Sequence, residues 1–197
     1  MIICLWWLLA ACSVAPSPEA VEPPAPIAAL PSDSVYQLGT VGVTHTGANA
    51  RLDTFRGHPT LITMFYASCP TACPMLIEDI KGFEAGLSDA QRADLRVVLV
   101  SLDPAADTPE RLQQAMTDHG VDASRWVMLR TEPDAVREVA AALGIRYRPA
   151  PNGEMNHSSI LTLVDRDGRP VVRVEGLRRD PSALRVAMAE LQTGGAL

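Results

Sequence analysis

Apolar and polar positions change period in an orderly way along this chain. Residues 60–66 (T-L-I-T-M-F-Y) and 95–102 (L-R-V-V-L-V-S-L) are almost unbroken β-rich apolar runs, which suits strands covered on both faces. Between them, residues 74–85 place Met75, Leu76, Ile80 and Phe83 on one helical face, and Gly86 stops the pattern. Ser88-Asp89-Ala90-Gln91 matches a capping box and predicts a short helix. Thr108-Pro109 supplies an N-cap and a first-turn proline for a helix that runs to about His119 and closes at Gly120. Residues 126–129 form a short strand, and Thr131-Glu132-Pro133-Asp134 opens a helix that ends before Gly144.

The two ends of this stretch read as hairpins. Residues 41–45 and 50–52 flank the turn Thr46-Gly47-Ala48-Asn49. Residues 159–164 and 170–174 flank Asp165-Arg166-Asp167-Gly168, whose Asp-Gly pair favours a tight turn. Asp180-Pro181 opens a last helix to about Gln192. Strand and helix alternate through the middle, so the expectation is an α/β domain over residues 35–192. Its sheet is mostly parallel, with helices on both faces and an antiparallel closing hairpin.

The first 34 residues follow a different logic. Residues 1–11 are an apolar run ending in Leu9-Ala10-Ala11 before Cys12, similar to the lipobox of bacterial lipoproteins. That similarity implies cleavage before Cys12, lipid attachment to it, and a chain held at a membrane surface on the periplasmic side of a bacterial envelope. An apolar run of about 11 residues is too short to span a bilayer. Residues 12–34 hold Cys12 and then a Pro-rich linker: five prolines from Pro16 to Pro26, and Pro31, exclude a packed core there. Residues 193–197 are a short tail.

Composition changes this picture little. Hydrophobic residues make up 47% and charged residues 20%, as in an ordinary globular protein. The net charge is −6 with scattered basic residues, which excludes a nucleic-acid footprint.

The four cysteines fall into two classes, Cys4 and Cys12 in the apolar leader and Cys69 and Cys73 in the globular part. Cys69 follows a buried strand and Cys73 stands at a helix start, in F-Y-A-S-C-P-T-A-C-P. Helix N-terminal N–H groups favour a thiolate, the form that binds metal or attacks a disulfide. The C-x₃-C spacing departs from the C-x₂-C of thioredoxins. His157, in Met155-Asn156-His157-Ser158-Ser159, precedes a buried strand whose loop reaches the same sheet edge. Two thiolates and one imidazole suit copper in either oxidation state, and by softness also zinc. Asp103, in Ser101-Leu102-Asp103-Pro104, falls on that edge too and could orient the site, although turn chemistry alone explains Asp107 and Thr108. His45, His58 and His119 carry no such pattern. Arg130 or Arg146 could activate a peroxidatic cysteine only by accident of folding.

Three motifs occur in order: C-P-x-x-C-P after Phe65-Tyr66, S-L-D-P-x-x-D-T-P-E-R-L from Ser101, and N-H-S-S before L-V-D-R-D-G. Together they resemble the Sco/SenC family over residues 36–192. The resemblance implies a thioredoxin-like fold, with a central mixed sheet flanked by helices and an N-terminal β-hairpin. It implies copper ligation by Cys69, Cys73 and His157, with the family's recurrent acidic residue at Asp103. It also implies a metallochaperone that serves cytochrome c oxidase assembly. The partners would be a copper-receiving oxidase subunit or related cupredoxin domain, and an envelope thiol reductant. Asn156 stands where many members carry Asp, and Leu161 and Thr162 where they carry an aromatic residue. Two alternatives remain: a thiol-disulfide reductase using the Cys69–Cys73 dithiol, and a copper or redox sensor. A reductase has no evident need for His157, and no proline stands between Asn152 and Ile160 where a thioredoxin would place its cis-proline.

Overall fold

A computed structural model describes residues 29–151 and 154–194. The leader, Cys12, the linker up to residue 28 and the last three residues of the tail lie outside the described residues.

A sheet of seven strands organises the domain. In chain order they are β1 (Val41–Thr44), β2 (Asn49–Arg51), β3 (Thr60–Phe65), β4 (Arg96–Ser101), β5 (Trp126–Thr131), β8 (Ile160–Val164) and β9 (Pro170–Glu175). Two further strands, β6 (Tyr147–Pro149) and β7 (Met155–His157), form a separate two-stranded ribbon. The spatial order of the sheet is β2-β1-β5-β4-β3-β8-β9. Strands β3, β4 and β5 are mutually parallel; β1 runs antiparallel to β5, and β8 antiparallel to β3. The sheet is therefore mixed, as the family resemblance implied, whereas strand-helix alternation alone suggested a mostly parallel one. The first hairpin docks on β5 and supplies the difference.

The helices are α1 (Ala72–Ala85), α2 (Asp89–Asp94), α3 (Pro109–Asp118), α4 (Pro133–Leu143) and α5 (Ser182–Gln192). They flank the sheet, and every residue of β3 and β8 is buried. This accounts for the missing polar alternation in those segments. Trp126 is buried at the start of β5 and donates its indole N–H to Glu84 near the end of α1, which ties that helix to the sheet. In the closing hairpin Gly168 has φ +84°, and a Cβ there would come within 2.5 Å of the Tyr36 ring. The Asp-Gly signal thus marks both a turn and a close approach.

The capping box forms as predicted. Ser88 accepts from the Gln91 N–H at 3.2 Å, and the Gln91 side chain accepts from the Ser88 N–H at 2.9 Å. Ser88→Ala removes one acceptor from a helix of a single turn and a half. The expected cost is about 1 kcal/mol, read as a fall in thermal midpoint of roughly 2–4 °C. An unchanged midpoint would show that the cap contributes nothing.

The topology also fixes where chemistry can gather. Strands β3, β4 and β5 end at one edge of the sheet. The antiparallel register pairs Thr60 with Val164 and Ile62 with Thr162, so Ile160 at the start of β8 lies beside the end of β3. The Thr63 hydroxyl donates to the Ile160 carbonyl at 2.7 Å. Segments just before β8 therefore face the loop that follows β3.

Candidate metal centre

Cys69 lies in the loop between β3 and α1 and Cys73 is the second residue of α1, and both are free thiols in the interior, Cys69 8% and Cys73 2% exposed. Thr71, the residue before α1, makes no side-chain cap, and one orphan helix N–H is met instead by sulfur. The Cys73 N–H donates to the Cys69 Sγ at 3.3 Å. Burial opposes charge on Cys69. The N–H groups of Cys73 and Thr71, with the Cys73 thiol and the Tyr66 hydroxyl, outweigh it and hold its pKa below that of an ordinary thiol. Burial pushes the Cys73 thiol far up, and the neighbouring Cys69 adds to the rise. The helix-start argument favoured a thiolate at Cys73. The structure gives that advantage to Cys69, because the loop folds its sulfur back over the first turn.

His157 closes the site from the ribbon. Its Nδ1 lies 3.1 Å from the Ser158 carbonyl, which can only accept, so Nδ1 carries the proton and Nε2 keeps its lone pair. Nε2 lies 3.9 Å from the Cys73 Sγ. Burial lowers the His157 pKa, partly offset by the Ser158 carbonyl, which favours the neutral, ligating form. At zinc-site bond lengths, about 2.3 Å to sulfur and 2.0 Å to nitrogen, an ion between two such donors spaces them roughly 3.7 Å apart at a trigonal angle. The observed separation fits an ion between Cys73 and His157. Among the described residues no three His, Cys, Asp or Glu side chains converge closely enough to hold an ion.

Tyr66 was not singled out in the sequence, yet it braces the site. Its ring meets the His157 ring edge-on with centroids 6.0 Å apart. The hydroxyl also accepts from the Met155 N–H at 3.4 Å. Burial and the Cys69 contact push its own pKa up to about 12. The available signal was its place in the Phe65-Tyr66 pair that precedes the cysteine motif.

Asp103 lies on the expected edge, but its carboxylate accepts from the Ala106 N–H in its own turn. The carboxylate that reaches the cysteine loop belongs to Asp107, which is fully buried. Asp107 accepts from the Ala67 N–H at 3.1 and 3.2 Å and from the Ser101 hydroxyl at 2.6 Å. The remaining histidines are elsewhere. His45 is buried, with Nδ1 3.4 Å from the Met128 N–H; His58 pairs with Asp94; and His119 caps α3. Arg130 donates to the Pro104 carbonyl. Cys12 lies outside the described residues.

A cleft of about 220 Å³ opens onto the site, lined among others by Tyr66, Cys69, Met155 and His157. Cys69 thus fronts the cleft, with Cys73 buried behind it.

A family model described as SCO1/SenC matches residues 37–191. A protein of Stutzerimonas stutzeri named for copper binding is 26% identical over 137 residues, 64% of this chain and 66% of that protein, just under two thirds of its length. The structure of Bradyrhizobium japonicum ScoI with copper bound superposes with a TM-score of 0.63 at 25% identity, covering 78% of this chain and 96% of that one. BsSco, described as a member of the Sco family of cytochrome c oxidase assembly proteins, superposes with a TM-score of 0.65 at 22% identity, covering 80% and 91%.

Proposed function

The chain belongs to the SCO1/SenC family, and from that premise we propose that it carries one copper ion on Cys69, Cys73 and His157 and hands it to a protein that builds a copper centre. The observation that carries this reading is the 3.9 Å approach of the His157 Nε2 lone pair to the Cys73 sulfur, at the mouth of a loop that holds the Cys69 sulfur with its pKa lowered. Two soft sulfurs retain Cu(I), while the imidazole also accommodates Cu(II). Three protein donors leave a coordination position for a receiving ligand, so exchange needs no fully dissociated ion. The receiving protein in this reading is an oxidase subunit or a similar cupredoxin domain. Loading requires an envelope reductant that keeps both cysteines reduced. The lipidated Cys12 and the Pro-rich linker would tether the domain at the membrane. Asp103 remains a candidate for tuning the charge of this edge.

His157→Ala tests the site. The reduced protein is loaded with Cu(II) and its visible absorption recorded. The variant is expected to lose the sulfur-to-copper absorption, or to hold Cu(II) at least tenfold more weakly, while retaining Cu(I) on the two sulfurs. Equal stoichiometry, spectrum and affinity for Cu(II) in both proteins would remove His157 from the site.

One observation favours a second reading. A low-pKa sulfur at the cleft with a buried partner thiol behind it is the asymmetry that a dithiol reductant uses. In that reading the Cys69 thiolate attacks a target disulfide and Cys73 resolves the mixed disulfide. Reduction of a target disulfide that survives His157→Ala but not Cys69→Ala would support it.

A further inference from the structure

The ribbon that brings His157 to the cysteines has two unlike faces. Register pairs Tyr147 with His157 and Pro149 with Met155, and alternate residues of a strand share a face. Met155 and His157 therefore stand side by side, while Arg148 and Asn156 occupy the opposite, exposed face. Met155 lines the same cleft as Cys69 and His157. Its main chain is fastened to the site, since its N–H donates to the hydroxyl of Tyr66, whose ring meets the His157 ring edge-on. Met155 is half-buried and packs against the core where it lines the cleft. A thioether has no charge to desolvate and no proton to lose. It is a soft donor on a stem with three rotatable bonds.

We infer that Met155 supplies a fourth, thioether donor that engages the ion when it is Cu(I) and leaves it when it is Cu(II). This rests on the copper reading of Cys69, Cys73 and His157. Softness decides the selectivity: a thioether adds to a thiolate-rich Cu(I) site and contributes little to a Cu(II) site already served by imidazole. The thioether would shield the open position in the reduced state, and a stronger ligand from the receiving protein would displace it.

The test uses the domain with its methionines replaced by selenomethionine, loaded with Cu(I), and X-ray absorption at the copper and selenium edges. A copper–selenium distance in the bonding range is expected, retained in Met75→Leu and absent in Met155→Leu. Leucine conserves volume, so the fold is expected to hold. In competition titrations Met155→Leu is expected to weaken Cu(I) about tenfold and to leave Cu(II) affinity and spectrum unchanged. If copper occupies the two cysteines and His157 with no selenium neighbour and equal Cu(I) affinity in Met155→Leu, the thioether assignment falls and the three-ligand site stands. If the unsubstituted protein binds no copper, both fall.

Discussion

Cys73→Ala is expected to weaken Cu(I) binding by far more than a hundredfold and to flatten its dependence on pH. Even a change in the groups that merely support metal ligands costs about 10–100-fold, and Cys73 is proposed as a direct donor. The pH effect follows from the contrast between the two sulfurs. Burial raises the Cys73 pKa, so at neutral pH the empty site holds a proton on that sulfur which the ion must displace. Lower pH strengthens the competing proton and higher pH weakens it. Apparent affinity therefore rises with pH, by about tenfold per unit for each proton displaced. Burial raises the Cys69 pKa but the helix N–H groups outweigh it, so its proton competes with the ion less strongly than that of Cys73. Cys69→Ala should lose affinity and keep the steep slope; Cys73→Ala should lose both. The measurement is competition against a chromophoric Cu(I) chelator between about pH 6 and 8, corrected for protonation of the chelator. A Cys73→Ala protein that binds as tightly as the original, or with the same slope, would reject Cys73 as the protonated donor. The alanine replaces a small side chain at a buried position, so a thermal melt serves to check that the fold is intact.

How much of this was legible in the sequence depends on how each segment buries itself. Strands β3 and β4 are covered on both faces and announce themselves as unbroken apolar runs. Helices α2, α3 and α4 have their boundaries written in caps and prolines: Ser88 with Gln91, Thr108 with Pro109, and Pro133 with Gly144. The β6–β7 ribbon was not legible. Three-residue strands such as Tyr147-Arg148-Pro149 are too short to show a period, and a proline argues against a strand. The ribbon matters, because it converts His157 from a loop residue into one held by register beside Met155.

The site divides in the same way. Cys69, Cys73 and His157 stood out by motif, and the parallel ends of β3 and β4 with antiparallel β8 place them at one edge. Which sulfur takes the helix N–H was hidden, because it depends on how a three-residue loop folds back. The choice between Asp103 and Asp107 was hidden too. Both lie in one turn after β4, and residue type does not show which carboxylate rotates inward. It is the Asp107 carboxylate that joins the ends of β3 and β4, through Ala67 and Ser101.

Asp107→Ala should accordingly cost about 3 kcal/mol of stability and loosen the copper site. The substitution strands the buried Ser101 hydroxyl and the part-buried Ala67 N–H. Hydrogen bonds to a charged group contribute about 1.5–3 kcal/mol each. For a domain of this size the loss lowers the thermal midpoint by roughly 6–12 °C. Ala67 stands two residues before Cys69, so copper affinity should fall as well. Asp107→Asn keeps one acceptor oxygen and should be milder, and it carries a pH signature. Burial raises the Asp107 pKa above its ordinary value, against the pull of Ser101 and the Ala67 N–H. The folded protein then binds a proton here more readily than the unfolded chain, so unfolding releases it. Stability from this group is greatest below the unfolded value of about 3.9 and is lost as pH rises through the higher folded value. Asparagine does not ionise, so the advantage of the original protein over the Asp107→Asn variant should be largest in acid and shrink towards neutrality. Denaturant titrations of the three proteins across that range supply the measurement. An alanine variant as stable as the original would show that the buried carboxylate does not brace the loop. An asparagine difference independent of pH would show that its ionisation is not coupled to folding.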